Sequence, residues 1–466
     1  MDSCIQELHF SHLHIPVTIN HKFLVHPSSP TPANQSPHHS LYLSNLDDII
    51  GARVFTPSVY FYRSTGNQPE TRECLVMKRL RDALGEVLVP YYPLSGRLRE
   101  VDNGKLEVFF GEEQGALMVS ANSSMALADL GDLTVPNPAW LPLIFQDPEE
   151  EAYKILEMPL LIAQVTFFTC GGFSLGIRLC HCICDGFGAM QFLTSWAATT
   201  KTGKLIADPE PVWDREVFKP RNPPMVKYPH HEYLPIEERS NLTNSLWETK
   251  PLQKCYRISK EFQSRVKSIA QGQDPSLVCS SFEAMAAHIW RSWVKALDVK
   301  PLGYNLRLTF SVNVRTKLET LKLRKGFYGN VVCLACAMST VNSLMNDSLS
   351  KTTCLVQEAR VRVTEDYLRS TLDYVEVKRP KKLEFGGKLM ITQWTRFEMY
   401  ETADFGWGKP VYAGPIDLRP TPQVCVLLPQ GGGVKSGGDQ SMVVCLCLPP
   451  SAVHNFTRIL SLNDYT

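Results

Sequence analysis

The chain has 466 residues, more than one ordinary hydrophobic core organises, so two domains are expected. Hydrophobic residues make up 44% and charged residues 20%, a globular rather than disordered balance. With 48 Lys+Arg against 47 Asp+Glu the formal charge is +1, so no global basic field draws nucleic acid or anionic lipid; a local patch for a phosphorylated ligand stays open.

The N-terminal run Met1 to Glu7 is polar and acidic, without an apolar signal segment, and no stretch reaches the roughly 18 apolar residues of a membrane span. The 14 cysteines lie mostly in apolar runs such as Val443 to Leu448, which reads as reduced, buried thiols rather than a disulfide framework. A soluble cytoplasmic protein is expected, with sequons such as Asn122-Ser123-Ser124 unused.

Residues 27–39 are a Pro/Ser/His-rich extended connector. Val54 to Tyr62 reads as a strand with Thr56, Ser58 and Tyr60 on one face and Val59 and Phe61 on the other; the polar face is either solvated or lines a cavity. Residues 71–88 have helical spacing, with Val76, Leu80, Leu84 and Val87 on one stripe, ended by Pro90 and Pro93. Two strands, Ala163–Cys170 and Ser174–Cys180, are joined through Gly171-Gly172. The second delivers His181 and Asp185, and a helix carrying Met190, Leu193 and Trp196 is expected just after Gly188.

Residues 205–237 lose all periodicity and hold prolines from Pro209 to Pro235, which marks a crossover between domains. Beyond it come a helix from Ser281 to Leu297, with Phe282, Met285, Ile289 and Trp293 on one stripe, a strand Leu306–Val314, and further strands near residues 330, 390, 425 and 444. Gly431 to Gly433 with Gly437-Gly438 read as a hairpin loop between the last two strands. A phosphate cradle would need a helix there, and a strand follows.

The run His181-Cys182-Ile183-Cys184-Asp185-Gly186 places an imidazole and a carboxylate four residues apart at the mouth of an apolar strand. A histidine suits general-base work because its ordinary pKa of about 6.5 leaves it largely neutral in the cytosol. The spacing alone equally suits a core histidine satisfied by a backbone carbonyl. Asp185 could orient the imidazole, cap the next helix or pair with an arginine. Gly172-Phe173-Ser174-Leu175-Gly176 matches the pattern of a serine-hydrolase nucleophile, but that motif needs a helix where this strand continues. A metal site at His181, Cys182 and Cys184 is disfavoured: neighbouring strand residues diverge, and no second Cys/His cluster exists. Asp404-Phe405-Gly406-Trp407-Gly408 reads as a rigid, glycine-punctuated turn.

Together, in this order, the two runs resemble the BAHD acyltransferases of plants, which move an acyl group from coenzyme A to an alcohol or amine. Pro30-Thr31-Pro32, Tyr92 to Leu98, Phe282 to Arg291, Asn313-Val314-Arg315 and Phe327 to Asn330 are similar to further segments of that family, so the resemblance spans nearly the whole chain. It implies an α/β (α+β) fold of two domains like chloramphenicol acetyltransferase, each a mixed sheet with flanking helices, and a channel between them. Residues 1–204 would carry the histidine motif, 205–237 the crossover and 238–466 the Asp404 turn.

The resemblance makes His181 the general base at mid-channel, with direct transfer in a ternary complex. It gives Asp185, Gly186, Arg315, Asp404, Gly406, Trp407 and Gly408 structural roles, with Asp185 turned from the cavity and Asp404 braced against Arg315. Thr392 and Trp394, and Thr56, Ser58 and Tyr60, would face the channel; plain core packing is the other reading of Trp394. Acyl-CoA is a co-substrate and no resident cofactor or metal is implied. The partners are an alcohol or amine acceptor, and the protein is expected to be a monomer.

Two departures stand out: one extra residue between Trp394 and Asp404, and a shortened Lys378–Leu389 segment. The second removes the arginine that clamps an acidic acceptor in other members, which disfavours such acceptors. The run Leu43 to Arg53 is similar to members linked with brassinosteroid acylation. Family-like proteins that act as non-catalytic partners in wax elongation tend to lose the Asp404 turn, which this chain keeps.

Overall fold

A computed structural model describes residues 4–8, 13–32, 40–64, 69–111, 115–147, 155–235, 240, 250–272, 278–382, 386–430 and 441–461. With strands numbered along the chain, a six-stranded sheet runs in the order β14 (Tyr412–Gly414), β4 (Phe55–Tyr62), β9 (Phe173–Cys180), β8 (Leu161–Phe168), β7 (Ala116–Ser123), β2 (Val17–Val25). A seven-stranded sheet runs β1 (Ile5–Leu8), β10 (Leu252–Ile258), β16 (Met442–Leu448), β15 (Val424–Pro429), β13 (Lys388–Gln393), β11 (Asn305–Asn313), β12 (Val332–Thr340). A small third sheet joins β3 (Ser40–Tyr42), β6 (Lys105–Phe109) and β5 (Arg97–Val101). Both large sheets are mixed: β7 lies parallel to β8, and β13 parallel to β11 and β15.

Strands β8 and β9 are buried at every position, which is why both read as nearly unbroken apolar runs. Helices α1 (Pro69–Val87) and α2 (Gly186–Thr202) cover one face of their sheet. Val76, Leu80 and Leu84 of α1 and Phe192, Leu193 and Trp196 of α2 share one cluster with Tyr60, Leu175 and Ile177. Val59 and Phe61 face the other way, onto Trp140, Leu143 and Tyr412. The alternation expected along β4 is therefore present, but Tyr60 belongs to a packed core and not to a solvated face.

The second sheet packs on α4 (Ser281–Ala296), with α3 (Lys260–Gln271), α6 (Leu349–Arg362) and α9 (Val453–Leu460) around it. A reciprocal capping box starts α4: Glu283 N–H donates to Ser280 Oγ (3.2 Å), and Ser280 N–H donates to Glu283 Oε2 (2.6 Å). Sequence periodicity gives this helix one apolar stripe, yet every residue from Glu283 to Val294 is buried. The alanines let neighbours approach on the other sides, and its charged members are paired: Arg360 bonds Glu283 (2.5 Å) and Arg291 bonds Thr352 (3.1 Å). Helix α7 (Glu365–Lys378) and the short helices α5 (Val341–Asn346) and α8 (Met399–Thr402) complete the set.

Two short strands exchange across the chain's halves. The first strand, β1, pairs with β10 in the second sheet, and β14 pairs with β4 in the first. Within 205–235 regular structure is limited to one 3₁₀ turn, Arg215–Phe218, and a bridge between Val212 and Phe327. Helix α2 begins at Gly186, three residues before the expected start just after Gly188, because Asp185 caps it. The glycine-rich loop at 431–440 and part of the connector, 33–39, lie outside the described residues.

Candidate active site

At the end of β9 the chain leaves the sheet through a turn. His181 N–H donates to the Val54 carbonyl (2.8 Å), and Ile183 N–H to the Cys180 carbonyl (3.1 Å). Asp185 then starts α2: its Oδ1 accepts from the N–H groups of Phe187 and Gly188, both at 3.1 Å. The two glycines at this helix start are demanded by close approach. A Cβ on Gly188 would lie 1.9 Å from the Tyr328 carbonyl oxygen, and one on Gly186 would lie 2.2 Å from the Phe397 ring. The first turn of α2 is thus pressed against the second half of the chain.

Asp185 is 2% exposed in its side chain and fully engaged. Arg315 grips it with Nη1 on Oδ2 (2.7 Å) and Nη2 on Oδ1 (3.0 Å), while Val331 N–H donates to Oδ2 (3.0 Å). Helix capping and arginine pairing, open alternatives in the sequence, coexist here. His181 is half-buried, its Nδ1 is enclosed and makes no hydrogen bond, and its carbonyl accepts from Asn330 Nδ2 (2.8 Å). Asp185 therefore does not orient the imidazole.

The expected brace between Asp404 and Arg315 is absent. Asp404 Oδ2 pairs with Lys201 Nζ (2.7 Å), and its Oδ1 accepts from Gly406 N–H (3.0 Å) and Gly408 N–H (3.1 Å). Geometry explains the difference. Arg315 sits at the start of the 17-residue α2 and Asp404 at its end, roughly 25 Å away at 1.5 Å per residue. Burial raises the Asp404 pKa, but the Lys201 bond and the two amides outweigh it and hold the carboxyl below its ordinary range. Gly406 and Gly408 have φ of 100° and 89°, the left-handed backbone that favours glycine. Trp407 lies edge-on to Phe173 (5.5 Å) with the Arg79 guanidinium over its ring (5.2 Å), and Phe405 packs on Trp196 (5.2 Å). This turn of the second half is clamped onto the helices of the first.

Of the residues expected to face substrate, Thr56, Ser58, Thr392 and Trp394 are half-buried, whereas Tyr60 is 1% exposed. Burial pushes the Tyr60 hydroxyl up to about 12, against an opposing hydrogen bond with Ser58. Trp394 packs against buried residues of both halves and sits beside Phe397 (6.0 Å), which meets Phe187 edge-on (5.2 Å). Core packing thus accounts for part of Trp394, and an aromatic wall next to Gly186 for the rest.

The alternative nucleophiles are poorly placed. Ser174 is buried within β9, which continues to Cys180. The Cys182 thiol, hydrogen-bonded with the free Cys180 thiol and enclosed, and the Cys184 thiol, enclosed beside Asp185, are both pushed well above the usual thiol range. No cluster of three or more metal-binding side chains occurs among the described residues.

Sequence reasoning missed a buried polar set beside the histidine. Asp47, Arg215 and Asn330 are buried, from the segment before β4, the crossover and the second half respectively. The sequence carried little signal for it: Arg215 stands between Asp214 and Glu216, and Asp47 between Leu46 and Asp48, which read as ordinary charged loop residues.

Two mixed sheets meet at a histidine-bearing turn whose neighbouring serine and thiols are enclosed, an arrangement suited to direct acyl transfer. Residues 15–462 match the Transferase family, and the chain belongs to it as a BAHD acyltransferase. It is 36% identical to the omega-hydroxypalmitate O-feruloyl transferase of Arabidopsis thaliana, over 98% of this chain and 95% of that one. It is 32% identical to the fatty alcohol:caffeoyl-CoA acyltransferase of the same plant, over 93% and 96%. The fold matches the crystal structure of vinorine synthase with a TM-score of 0.71 at 22% identity, covering 94% of this chain and 96% of that one. The protein is an acyltransferase, and the reading as a non-catalytic partner is not favoured.

Proposed function

We propose that the protein transfers an acyl group from acyl-CoA to a hydroxyl, with His181 as general base. The observation that carries this is the turn after β9. It leaves the His181 ring free of any carboxylate while the neighbouring Asp185 is wholly committed to Arg315 and the α2 start. The imidazole takes the acceptor's proton as its oxygen attacks the thioester carbonyl. The tetrahedral intermediate collapses with cleavage of the C–S bond, and the proton passes from imidazole to the leaving thiolate. Thr392 and Trp394 on one side, and Thr56 and Ser58 on the other, are the side chains we assign to the substrate path, with Tyr60 supporting them from the core.

The functional units are residues 1–204, the crossover 205–237 and residues 238–466, apart from the exchanged strands β1 and β14. Acyl-CoA is a co-substrate and not a resident cofactor. The names of the two Arabidopsis relatives, a feruloyl and a caffeoyl-CoA transferase with long-chain acceptors, support a hydroxycinnamoyl donor and an aliphatic alcohol. This acceptor class takes precedence over a steroid alcohol. Free cysteines throughout suit a reducing compartment, and we place the protein in the cytoplasm as a monomer.

The test is a screen of acyl-CoAs against alcohols and amines, beginning with feruloyl-CoA and 1-hexadecanol and read by mass spectrometry. Ester formation that depends on His181 is expected. Amide products only, or CoA release untouched by loss of His181, would overturn this reading.

A further inference from the structure

The main chain carrying His181 is gripped by two side chains from separate parts of the sequence, joined through a third. Asn330 Nδ2 donates to the His181 carbonyl (2.8 Å) and to Asp47 Oδ1 (3.0 Å), and the Asn330 backbone N–H also donates to Asp47 Oδ1 (3.0 Å). Arg215 Nη2 donates to the Ile183 carbonyl (2.6 Å) and Nη1 to the Trp213 carbonyl (2.7 Å). Its Nε stands 3.1 Å from Asp47 Oδ2, and both side chains are 0% exposed. Space for the guanidinium exists only because residue 329 is glycine: a Cβ there would lie 2.4 Å from Arg215 Cζ.

An enclosed ion pair is a poor source of stability compared with apolar packing, so its value lies in the arrangement that it enforces. Here that arrangement is the height and tilt of the peptides at 181 and 183 relative to both halves of the chain. With its N–H on Val54 and its carbonyl on Asn330, the His181 backbone is held on both sides.

We propose that Asn330 and Arg215, linked through the Asp47 carboxylate, are positioning residues for His181, so that assembly of the two halves and the crossover sets the aim of the imidazole. This rests on the reading of His181 as the base. It gives the crossover a second task besides connecting the halves. General-base transfer is sensitive to such alignment, and displacement by about 1 Å can cost around 100-fold in rate.

The experiment is a double-mutant cycle on the full chain, using the acyl-CoA and alcohol that turn over fastest in the screen above. Asn330→Ala should lower kcat about 10–100-fold while KM for acyl-CoA stays within about twofold. In a His181→Ala background the same substitution should change the residual rate by less than about twofold, because there is no base left to aim. Asn330→Ser, which retains one donor, should recover part of the loss and covers the case in which the alanine variant does not fold. Arg215→Lys should behave as Asn330→Ala does. Equal losses in both backgrounds would mean general disruption and would overturn the proposal, as would wild-type kcat in Asn330→Ala and Arg215→Lys. Near-wild-type turnover in His181→Ala alone has a different signature: it removes the base assignment, and the positioning role with it.

Discussion

Asp185 and Arg315, 130 residues apart in sequence, meet through two parallel hydrogen bonds of 2.7 and 3.0 Å at the N-terminus of α2. The same carboxylate caps the helix and holds Val331 N–H, so one side chain joins the histidine turn, the helix and the second sheet. Asp185→Asn should therefore destabilise the protein by about 3–5 kcal/mol, the usual cost of leaving one member of a buried pair alone. Chemical denaturation checks this; unchanged melting with abolished activity would point instead to a direct role in the chemistry.

Asp404→Ala should be milder. Its partner Lys201 is 55% exposed and Asp404 itself 25%, so water screens the pair. Loss of the two amide bonds within the turn adds to the pair's small contribution, for about 1–2 kcal/mol in total. A melting comparison of the Asp185 and Asp404 variants in one buffer should rank them in that order.

The contrast between these two acids marks what the sequence made legible. An apolar strand ending in His181, with glycines where a helix begins, could be read because strand and helix periodicities break at fixed residues. The alternation in β4 and the stripe of α1 were legible for the same reason. Which cation pairs with which acid was not, since it depends on which end of α2 each approaches, and Lys201 looks like any surface lysine. The exchange of β1 and β14 was invisible too: strands of four and three residues carry no pattern. Helix α7 shows mixed polar and apolar spacing because polar anchors for loops, Glu365 and Asp373, lie among its buried positions.

His181→Ala should lower the catalytic rate by roughly 10²–10⁴, the usual range for loss of a general base. The ring makes no structural hydrogen bond through Nδ1, so the melting temperature should stay close to that of wild type. Steady-state kinetics beside a thermal melt is the measurement, and turnover near the wild-type level would sink the assignment.

A second histidine should govern stability in mild acid. His288 is fully enclosed in α4 and bonds the Leu460 carbonyl through Nε2 (2.8 Å); burial lowers its pKa from 6.5 to about 4. Below pH 6.5 the unfolded chain takes up a proton that the folded chain refuses, so stability declines as pH falls from 6.5 toward 4. The full difference is about 3 kcal/mol. His288→Gln should flatten that part of the profile, as followed by urea denaturation at a series of pH values. A slope unchanged by the substitution would assign the effect to other groups.

The last expectation concerns kinetic order. Acyl transfer through a covalent enzyme intermediate needs a nucleophile that is ionised or has a base at hand, and is reachable. Ser174 is enclosed within β9, and the Cys182 and Cys184 thiols are enclosed and pushed well above the usual range. None of them competes with an acceptor hydroxyl brought to the His181 ring, so transfer should be direct and both substrates must be bound together. Enzyme mixed with acyl-CoA alone should give no stoichiometric burst of free CoA, and mass spectrometry should find no acylated peptide. Initial-rate plots with both substrates varied should intersect. Parallel lines, or an acyl group trapped on Ser174 or on either cysteine, would replace the ternary complex by a two-step mechanism.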